Sequence, residues 1–410
     1  MDNDNSNEIL GNNGLSRTRR NVFRIFLFGL VSTLLLSIPP NAIASSDVVS
    51  PDIFSTQATA IAYRTVALPV NEFGIEAPVS IWYPISDKLV TSTTLEIKYD
   101  YKISLRRIGQ LLARWDFIPE FVSKKFSLTP SALTTIRVVD GKSIPINFGS
   151  DAGTKVVFLA HGFLGSRSDL GYIAEDLASR GYVCVAPEYP ESLEASYPRM
   201  DGLNRAAINK QLIPYIKDMV HQPIVSYSAI GHSLGCGTVL QMGDDSWNRV
   251  LMGSGRAPLL PSSRTRSKTT ENNDTVYKNP VVGGRLLFIS SVNDGPVTSW
   301  GGGIEIPKEY TVLQESQLQQ EENGEGIQSV KKLQRAALVF QGDKAPNHIS
   351  YLSENVNDAM LSFLSPLLPL TNALGIPVLD FDKYEKSRDS VVTGKVLKPL
   401  ISSFLAGGVP

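Results

Sequence analysis

IVSYSAIGHSLGCG, residues 224–237, is the stretch that decides the fold of this protein. An apolar run, Ile224–Ile230, is followed at once by the pentapeptide Gly231-His232-Ser233-Leu234-Gly235, and a stretch with small residues comes next. A G-x-S-x-G pentapeptide between a buried strand and a helix indicates a sharp turn that exposes the serine hydroxyl, with glycines where Cβ atoms would clash. The pattern predicts that Ser233 is a nucleophile, and the alternative is a purely structural serine.

Short apolar runs alternate with helical stretches on both sides of this pentapeptide. Several runs, such as Val156–Ala160, are continuously apolar, as expected for parallel strands that are buried on both faces. The alternation predicts an α/β protein with a mostly parallel central sheet of about eight strands and helices on both faces. The predicted strands are Ala62–Leu68, Val79–Tyr83, Lys155–Ala160, Tyr182–Ala186, Ile224–Ile230, Arg249–Gly253, Arg285–Ser290 and Ala336–Phe340, and the predicted helices are Asp169–Ser179, Leu203–Val220, Ser233–Met242 and Ile349–Leu364.

This pattern defines one α/β domain over residues 45–382, with three insertions. The insertion near 101–125 has apolar residues at helical spacing, which predicts a small cap or a helix packed on the sheet. The insertion near 254–283 is polar and predicts a surface loop, and the one near 314–334 is rich in Gln and Glu and predicts a solvated helix or loop. Residues 383–410 are interpreted as a C-terminal tail.

The composition excludes several classes of protein. Of 410 residues, 42% are hydrophobic, which is too many for a disordered chain. The 39 basic and 40 acidic residues nearly cancel, so a nucleic-acid partner is not expected, whereas peripheral contact with a membrane is not excluded. Two cysteines and four histidines argue against a disulfide framework and against a metal site.

Residues 1–44 are predicted to be an export signal rather than part of the fold. Four arginines precede the apolar run Ile25–Ile38, and Ala42-Ile43-Ala44 then resembles a signal-peptidase site. The segment Thr18–Arg24 partly matches a twin-arginine export signal, with Val22 where Phe is usual. Export to the periplasm, a thylakoid lumen or the cell exterior is expected, and an uncleaved membrane anchor is the alternative.

A second glycine-containing segment, His161-Gly162-Phe163, directly follows one of the predicted strands. Acyl transfer needs two amide donors that face the developing oxyanion. The amide of Leu234, next after the nucleophile, is the first candidate, and the amide of Phe163 is the second. An ordinary glycine-rich loop is the alternative interpretation of this segment.

The general base follows by elimination, because the expected chain order is nucleophile, then acid, then histidine. His161 belongs to the oxyanion segment, His232 to the pentapeptide, and His221 precedes the nucleophile. Only His348 remains, in a loop directly after the predicted strand Ala336–Phe340. A base in that position reaches over the carboxyl ends of the parallel strands.

The acid should lie between Ser233 and His348, just past the end of a strand. Asp294 meets both conditions and would hold the imidazole in the required tautomer. Asp343 is the main rival, although it lies on the same loop as His348, and Asp244 and Asp245 are too close to the nucleophile helix.

With these residues placed, residues 60–366 resemble an α/β-hydrolase. Residues 79–84 and 161–182 are similar to the platelet-activating-factor acetylhydrolase-like group, which is related to the dienelactone hydrolases. The chain departs from both groups. Dienelactone hydrolases use a cysteine where this chain has Ser233, and the acetylhydrolases carry their acid one strand earlier, where residues 251–255 contain no carboxylate.

The expected function is therefore a serine carboxylic-ester hydrolase of esterase or lipase type, acting on a small-molecule or lipid ester without a metal or organic cofactor. A lipid ester would fit if Phe163, Leu164 and the apolar stretch Met360–Leu370 line the site, but that stretch also fits an ordinary core helix. The alternatives are a serine hydrolase of another class (chlorophyllase-like, peptidase or acyltransferase) and a catalytically inactive binding module.

Overall fold

The computed structural model of the protein describes most of the predicted α/β domain. The described residues are 60–86, 97–113, 117, 119, 123–131, 136–142, 144, 146, 153–194, 196–198, 200–259, 283–300, 302–319, 330–364 and 386–407. The predicted export signal, most of the insertion near 254–283, and the second half of the apolar stretch Met360–Leu370 lie outside these residues.

A ten-stranded sheet forms the centre of the structure, in the order β11-β12-β10-β9-β8-β6-β7-β2-β1-β5. Within the described sheet β2 alone runs antiparallel to its neighbours, and every other pair is parallel. The strands of this sheet are β1 (Ala60–Val70), β2 (Ile75–Pro84), β5 (Arg137–Asp140), β6 (Thr154–Ala160), β7 (Tyr182–Pro187), β8 (Ile224–His232), β9 (Asn248–Met252), β10 (Leu286–Ser291), β11 (Thr311–Leu313) and β12 (Arg335–Phe340).

The eight predicted strands are all confirmed, and β5 and β11 are additional. Every residue of β7, β9 and β10 is buried, as continuous apolar runs in a parallel sheet require. The added strands are only 4 and 3 residues long and lie at the two edges of the sheet. Segments this short carry no periodicity that would distinguish them from loops.

Helices cover the sheet and follow the predicted alternation with strands. The helices are α1 (Leu105–Ala113), α2 (Gly171–Ser179), α3 (Arg205–Met219), α4 (Leu234–Leu240), α5 (Glu315–Gln319), α6 (Glu354–Leu364) and α7 (Ser390–Ala406). Helix α3 runs through Pro214 without a break, and the side chain of Asn204 caps it by accepting a hydrogen bond from the amide of Ala207. Among the described residues, no helix combines the length and apolarity needed to cross a membrane.

The insertion near 101–125 contains the predicted helix, which is α1, but also two strands that the pattern did not predict. Strands β3 (Tyr99–Ser104) and β4 (Ser123–Leu128) flank α1 and pair with each other as a separate antiparallel sheet. The Tyr99 hydroxyl donates to Glu175 Oε1 of α2 at 2.7 Å, and Arg107 of α1 donates to the Ser192 carbonyl at 3.3 Å. These contacts fix the insertion against α2 and against the loop that follows β7.

The described part of the predicted C-terminal tail packs on the domain instead of extending from it. Helix α7 contacts α2, α5, α6 and the turn His348–Tyr351. The buried Arg285 donates to the Phe404 carbonyl of α7 at 2.7 Å, and its guanidinium lies 4.4 Å from the centre of the Phe404 ring. The described α/β domain therefore includes α7, which the strand–helix alternation could not assign.

The topology is that of an α/β-hydrolase. Because β6, β8, β9, β10 and β12 are parallel, their carboxyl ends lie at one edge of the sheet. That edge is where the loops carrying the predicted site residues begin.

Candidate active site

Ser233 occupies a strained turn between β8 and α4. Its backbone has φ 54° and ψ −119°, and it is one of two non-glycine residues with positive φ among the described residues. A non-glycine residue in such a conformation costs about 1–3 kcal/mol and persists only where its surroundings hold it. The strain is the one expected of a nucleophile presented above a sheet.

The two glycines of the pentapeptide have no room for a side chain. A Cβ on Gly231 would lie 2.4 Å from the carbonyl oxygen of Gly235, and a Cβ on Gly235 would lie 2.0 Å from the carbonyl oxygen of Ala160. Both clashes involve backbone atoms, which cannot rotate away. The sequence prediction that glycine is needed at these two positions is confirmed.

We expect Gly235→Ala to destabilise the protein by about 3 kcal/mol, because the β6 backbone would have to shift. The matched control is Gly237→Ala in the same helix, where a Cβ meets nothing within 4 Å and where the change should stabilise by about 0.5–1 kcal/mol. Chemical denaturation of both variants measures the difference. Equal stabilities would contradict the close packing of α4 on β6.

Asp294 and His348 form a direct pair. Asp294 follows β10 and His348 opens the turn after β12. The His348 Nδ1 lies 2.8 Å from Asp294 Oδ1 and 2.9 Å from Oδ2. The Asp294 side chain is fully buried, and that of His348 is 15% exposed. The carboxylate therefore accepts a hydrogen bond from Nδ1–H, which keeps the ring proton on Nδ1 and leaves Nε2 as the basic nitrogen.

The structure also shows where the rival acid Asp343 lies and what occupies the end of β9, the strand on which acetylhydrolases carry their acid. Asp343 is exposed, and its carbonyl accepts a hydrogen bond from Asn293. Gly253, with φ +66°, follows β9, and a Cβ there would meet Asp294 Oδ2 at 3.2 Å and the His232 ring at 3.3 Å. The Asp294 carboxylate thus fills the space above the earlier strand, where this chain has no acid.

His232 links the His348 backbone to the turn of Ser233, a contact that the sequence did not predict. Its Nε2 donates to the His348 carbonyl at 3.0 Å, and the two rings lie 4.7 Å apart. Burial, with the charge of His348 second, lowers the pKa of His232 well below its ordinary value, so the ring is neutral. His232 immediately precedes Ser233, so this contact holds the His348 backbone at the nucleophile turn.

The predicted oxyanion segment folds over Ser233. A Cβ on Gly162 would lie 3.1 Å from the Cβ of Ser233, so the two backbones are in close contact. The Gly165 amide donates to the Gly162 carbonyl at 3.3 Å and closes a turn in which Leu164 has φ 58°. Phe163 stands at the turn with 38% of its surface exposed.

The two predicted oxyanion donors are available for a ligand. Within the described part of the chain, neither the Phe163 amide nor the Leu234 amide donates to another protein group. The Leu234 amide is at the first turn of α4, whose amides have no partner inside the helix. Unpaired amides on both sides of a nucleophile are what an oxyanion hole requires.

His161 is a structural member of this segment and not a second base. Its Nδ1 donates to the Gly162 carbonyl at 2.7 Å, and its Nε2 accepts from the Tyr189 amide at 3.1 Å. Burial, followed by the charge of Arg205, lowers the pKa of His161 well below its ordinary value. The neutral ring therefore carries its proton on Nδ1, and its two hydrogen bonds stabilise the turn.

The described residues were also compared with what metal binding and thiol chemistry require. They contain no group of three or more His, Cys, Asp or Glu side chains that could hold a metal ion. Cys184 and Cys236 are both buried, and burial raises the pKa of Cys236 to about 12. Cys236 is thus a small core residue behind Ser233, as its sequence context indicates.

A buried carboxyl group lies beneath the oxyanion segment. Asp169 accepts a hydrogen bond from the Ser166 hydroxyl at 2.8 Å, while its Oδ2 has no partner among the described residues. Burial raises the pKa of Asp169 from 3.8 to about 7, and the Ser166 hydrogen bonds and Arg205 oppose this shift. The folded protein thus binds a proton that the unfolded chain releases, so this stabilisation is present below pH 3.8 and is lost as the pH rises through about 7.

We therefore expect Asp169→Asn to gain stability relative to the wild type as the pH rises. The amide keeps the shape of the carboxyl group but does not ionise, so the Tm advantage should be smallest at about pH 3.5, below the unfolded pKa of 3.8, and should be larger by roughly 2–4 °C at about pH 8.5. Thermal unfolding at both pH values measures this. The same exchange at the exposed Asp201 is the control, and a Tm difference independent of pH for Asp169→Asn would contradict the burial argument.

Comparison with known proteins finds matches among solved structures. No protein-family model matches the chain, and no curated protein matches it. The chain is similar to a ferulic acid esterase from Streptomyces cinnamoneus, with 11% identity over 88% of this chain and 92% of that chain and a TM-score of 0.40. It is also similar to a dienelactone hydrolase from Anabaena variabilis, with 13% identity over 73% of this chain and 94% of that chain and a TM-score of 0.30. These identities and TM-scores assign no activity, so the chemistry has to be derived from this chain's own residues.

Proposed function

We propose that this chain, which has an α/β-hydrolase fold, is a serine hydrolase that cleaves carboxylic esters. The observation that carries the proposal is the hydrogen bonding of His348 Nδ1 to the buried Asp294 carboxylate, beside the strained turn of Ser233. Nδ1 lies 2.8 Å from Oδ1 and 2.9 Å from Oδ2. A structural serine needs neither positive φ nor a base held in one tautomer. The unpaired amides of Phe163 and Leu234 support the same chemistry.

In the proposed reaction, Ser233 Oγ forms a bond to the ester carbonyl carbon while His348 Nε2 takes the hydroxyl proton. The Phe163 and Leu234 amides donate to the resulting oxyanion. The intermediate then loses the alcohol, which receives the proton from His348. Water attacks the acyl-enzyme by the same route, releases the carboxylic acid and restores Ser233. Asp294 stabilises the imidazolium in both halves, and no cofactor enters either half.

An apolar ester is the proposed substrate class. Phe163 is 38% exposed and Leu234 is 44% exposed, so two large apolar side chains flank the nucleophile at the surface. Exposed apolar groups at a site favour an apolar substrate or contact with a lipid surface. Met360 is buried, which supports the core-helix interpretation of its end of the stretch Met360–Leu370.

Export remains part of the proposal, because it rests on residues 1–44, outside the described part of the chain. The arginines, the apolar run and the Ala-Ile-Ala site support a cleaved signal. N-terminal sequencing of the protein from its native cell should find Ser45 first. An intact Met1 in the membrane fraction would favour the anchor instead.

The test of the function combines a covalent probe with a substrate series. A fluorophosphonate should label the folded protein at Ser233, and p-nitrophenyl esters of increasing acyl length should be hydrolysed. A preference for long acyl chains would support a lipase, and a preference for short chains an esterase. Absence of labelling on folded protein would overturn the proposal in favour of a binding module.

A further inference from the structure

One buried arginine joins the oxyanion segment to the rest of the domain. Arg205, the first residue of α3, donates through Nη1 to the His161 carbonyl at 2.7 Å and through Nη2 to the Gly162 carbonyl at 3.1 Å. Nη1 also donates to Thr238 Oγ1 of α4 at 3.1 Å. One planar group thus contacts the oxyanion segment and the helix that carries the nucleophile turn.

The guanidinium is itself held in place from two sides. Its Nε donates to Glu191 Oε2 at 3.0 Å, and it lies 4.5 Å from the centre of the Tyr189 ring. The backbone carbonyl of Glu191 accepts the Leu164 amide at 3.1 Å. The Glu191 backbone therefore contacts the oxyanion turn directly. Its side chain also positions Arg205, which in turn contacts the carbonyls of His161 and Gly162.

These contacts set the direction of one amide. No cis peptide bond occurs among the described residues, and in a trans peptide the C=O and the following N–H point in opposite directions. Since the Gly162 carbonyl faces Arg205 and His161 Nδ1, the Phe163 N–H points away from them. Rotation of this peptide would turn the amide out of the site without moving the Phe163 side chain far.

We propose that Arg205 is a positioning residue for the oxyanion hole, because it locks the Gly162–Phe163 peptide with the Phe163 amide aimed at the reacting carbonyl. This inference rests on the proposed function. Lysine cannot replace the arginine, because a single ammonium lacks the planar fork that reaches two neighbouring carbonyls and a hydroxyl at once. The oxyanion exists only after attack by the serine, so loss of the lock affects the transition state more than substrate binding.

The test compares Arg205→Lys with Arg285→Lys. Arg285 is a matched control, because it is buried, donates to backbone carbonyls and stacks on an aromatic ring, but it contacts α7 and not the site. We expect Arg205→Lys to lower kcat about 100-fold, with KM changed less than about threefold. Affinity for a trifluoromethyl ketone, which forms a tetrahedral oxyanion adduct with serine, should fall in parallel. Arg285→Lys should lower Tm but leave both readouts near wild type.

Three results separate this inference from the proposed function. Unchanged kcat and ketone affinity in folded Arg205→Lys, with wild-type turnover that depends on Ser233, would overturn the inference alone. Wild-type protein without Ser233-dependent turnover would overturn both. If Arg205→Lys does not fold, Glu191→Gln tests the same link by removing the carboxylate from Nε, and a fall in kcat of a few fold at constant KM is expected. Unchanged kcat in Glu191→Gln, with Ser233-dependent turnover in the wild type, would also overturn the inference.

Discussion

Replacing Ser233 by alanine is expected to lower kcat for the best p-nitrophenyl ester by about 10⁶-fold, the loss typical of removing a serine nucleophile. The expectation follows from the turn, since only the residue at φ 54° is presented above the sheet by this strand–helix connection. The change removes one oxygen atom and should leave Tm almost unchanged or slightly raised. Steady-state kinetics and thermal unfolding of the same preparation measure both effects.

His161 and Cys236 provide the comparison for that result. Both lie next to the turn but are buried and bonded to backbone groups, so neither offers an alternative nucleophile. A loss smaller than about tenfold in Ser233→Ala would mean that turnover occurs elsewhere. The serine mechanism would then be wrong even though the fold is unchanged.

Asp294→Asn is expected to lower kcat by about 10⁴-fold without preventing folding. An amide in place of the carboxylate donates a hydrogen bond to His348 Nδ1, which favours the tautomer with the ring proton on Nε2 and removes the base. It also removes the negative charge that stabilises the imidazolium. KM should change little, because the buried carboxylate has no direct access to substrate.

The matched control is Asp343→Asn. Asp343 precedes His348 by five residues in the chain and is exposed, so the same exchange should leave kcat within about twofold of wild type. The opposite pattern, with activity lost in Asp343→Asn and kept in Asp294→Asn, would reverse the assignment. Pre-steady-state burst kinetics of Asp294→Asn should show that acyl-enzyme formation is the step that becomes slower.

Much of the candidate site was predictable because local patterns carry it. The turn of Ser233 requires glycine at positions 231 and 235, because a Cβ at either position would clash with backbone atoms. The pentapeptide shows both glycines directly. With four histidines in the chain, position relative to the strands was enough to select His348. Strands β7, β9 and β10 were predictable because burial on both faces demands unbroken apolar runs.

The supporting residues were not predictable in the same way. His232 acts on a carbonyl 116 residues away, and Arg205 acts on carbonyls 44 and 43 residues before it. An arginine at the start of a helix has many uses, and no local spacing indicates that its partners will be backbone oxygens of another loop. Strands β3 and β4 were missed because a helix separates them and each is stable only through pairing with the other.

The amino-acid sequence by itself determined the α/β alternation and the sharp turn at Ser233, because burial and steric exclusion act within a few residues. Only the tertiary structure decided which carboxylate meets His348, which way the Gly162–Phe163 peptide faces and where the C-terminal helix packs. Each of these depends on hydrogen bonds between residues far apart in the chain, such as Arg285 to Phe404, 119 residues apart. Such bonds form only after the sheet has brought its carboxyl ends together, so no local pattern records them.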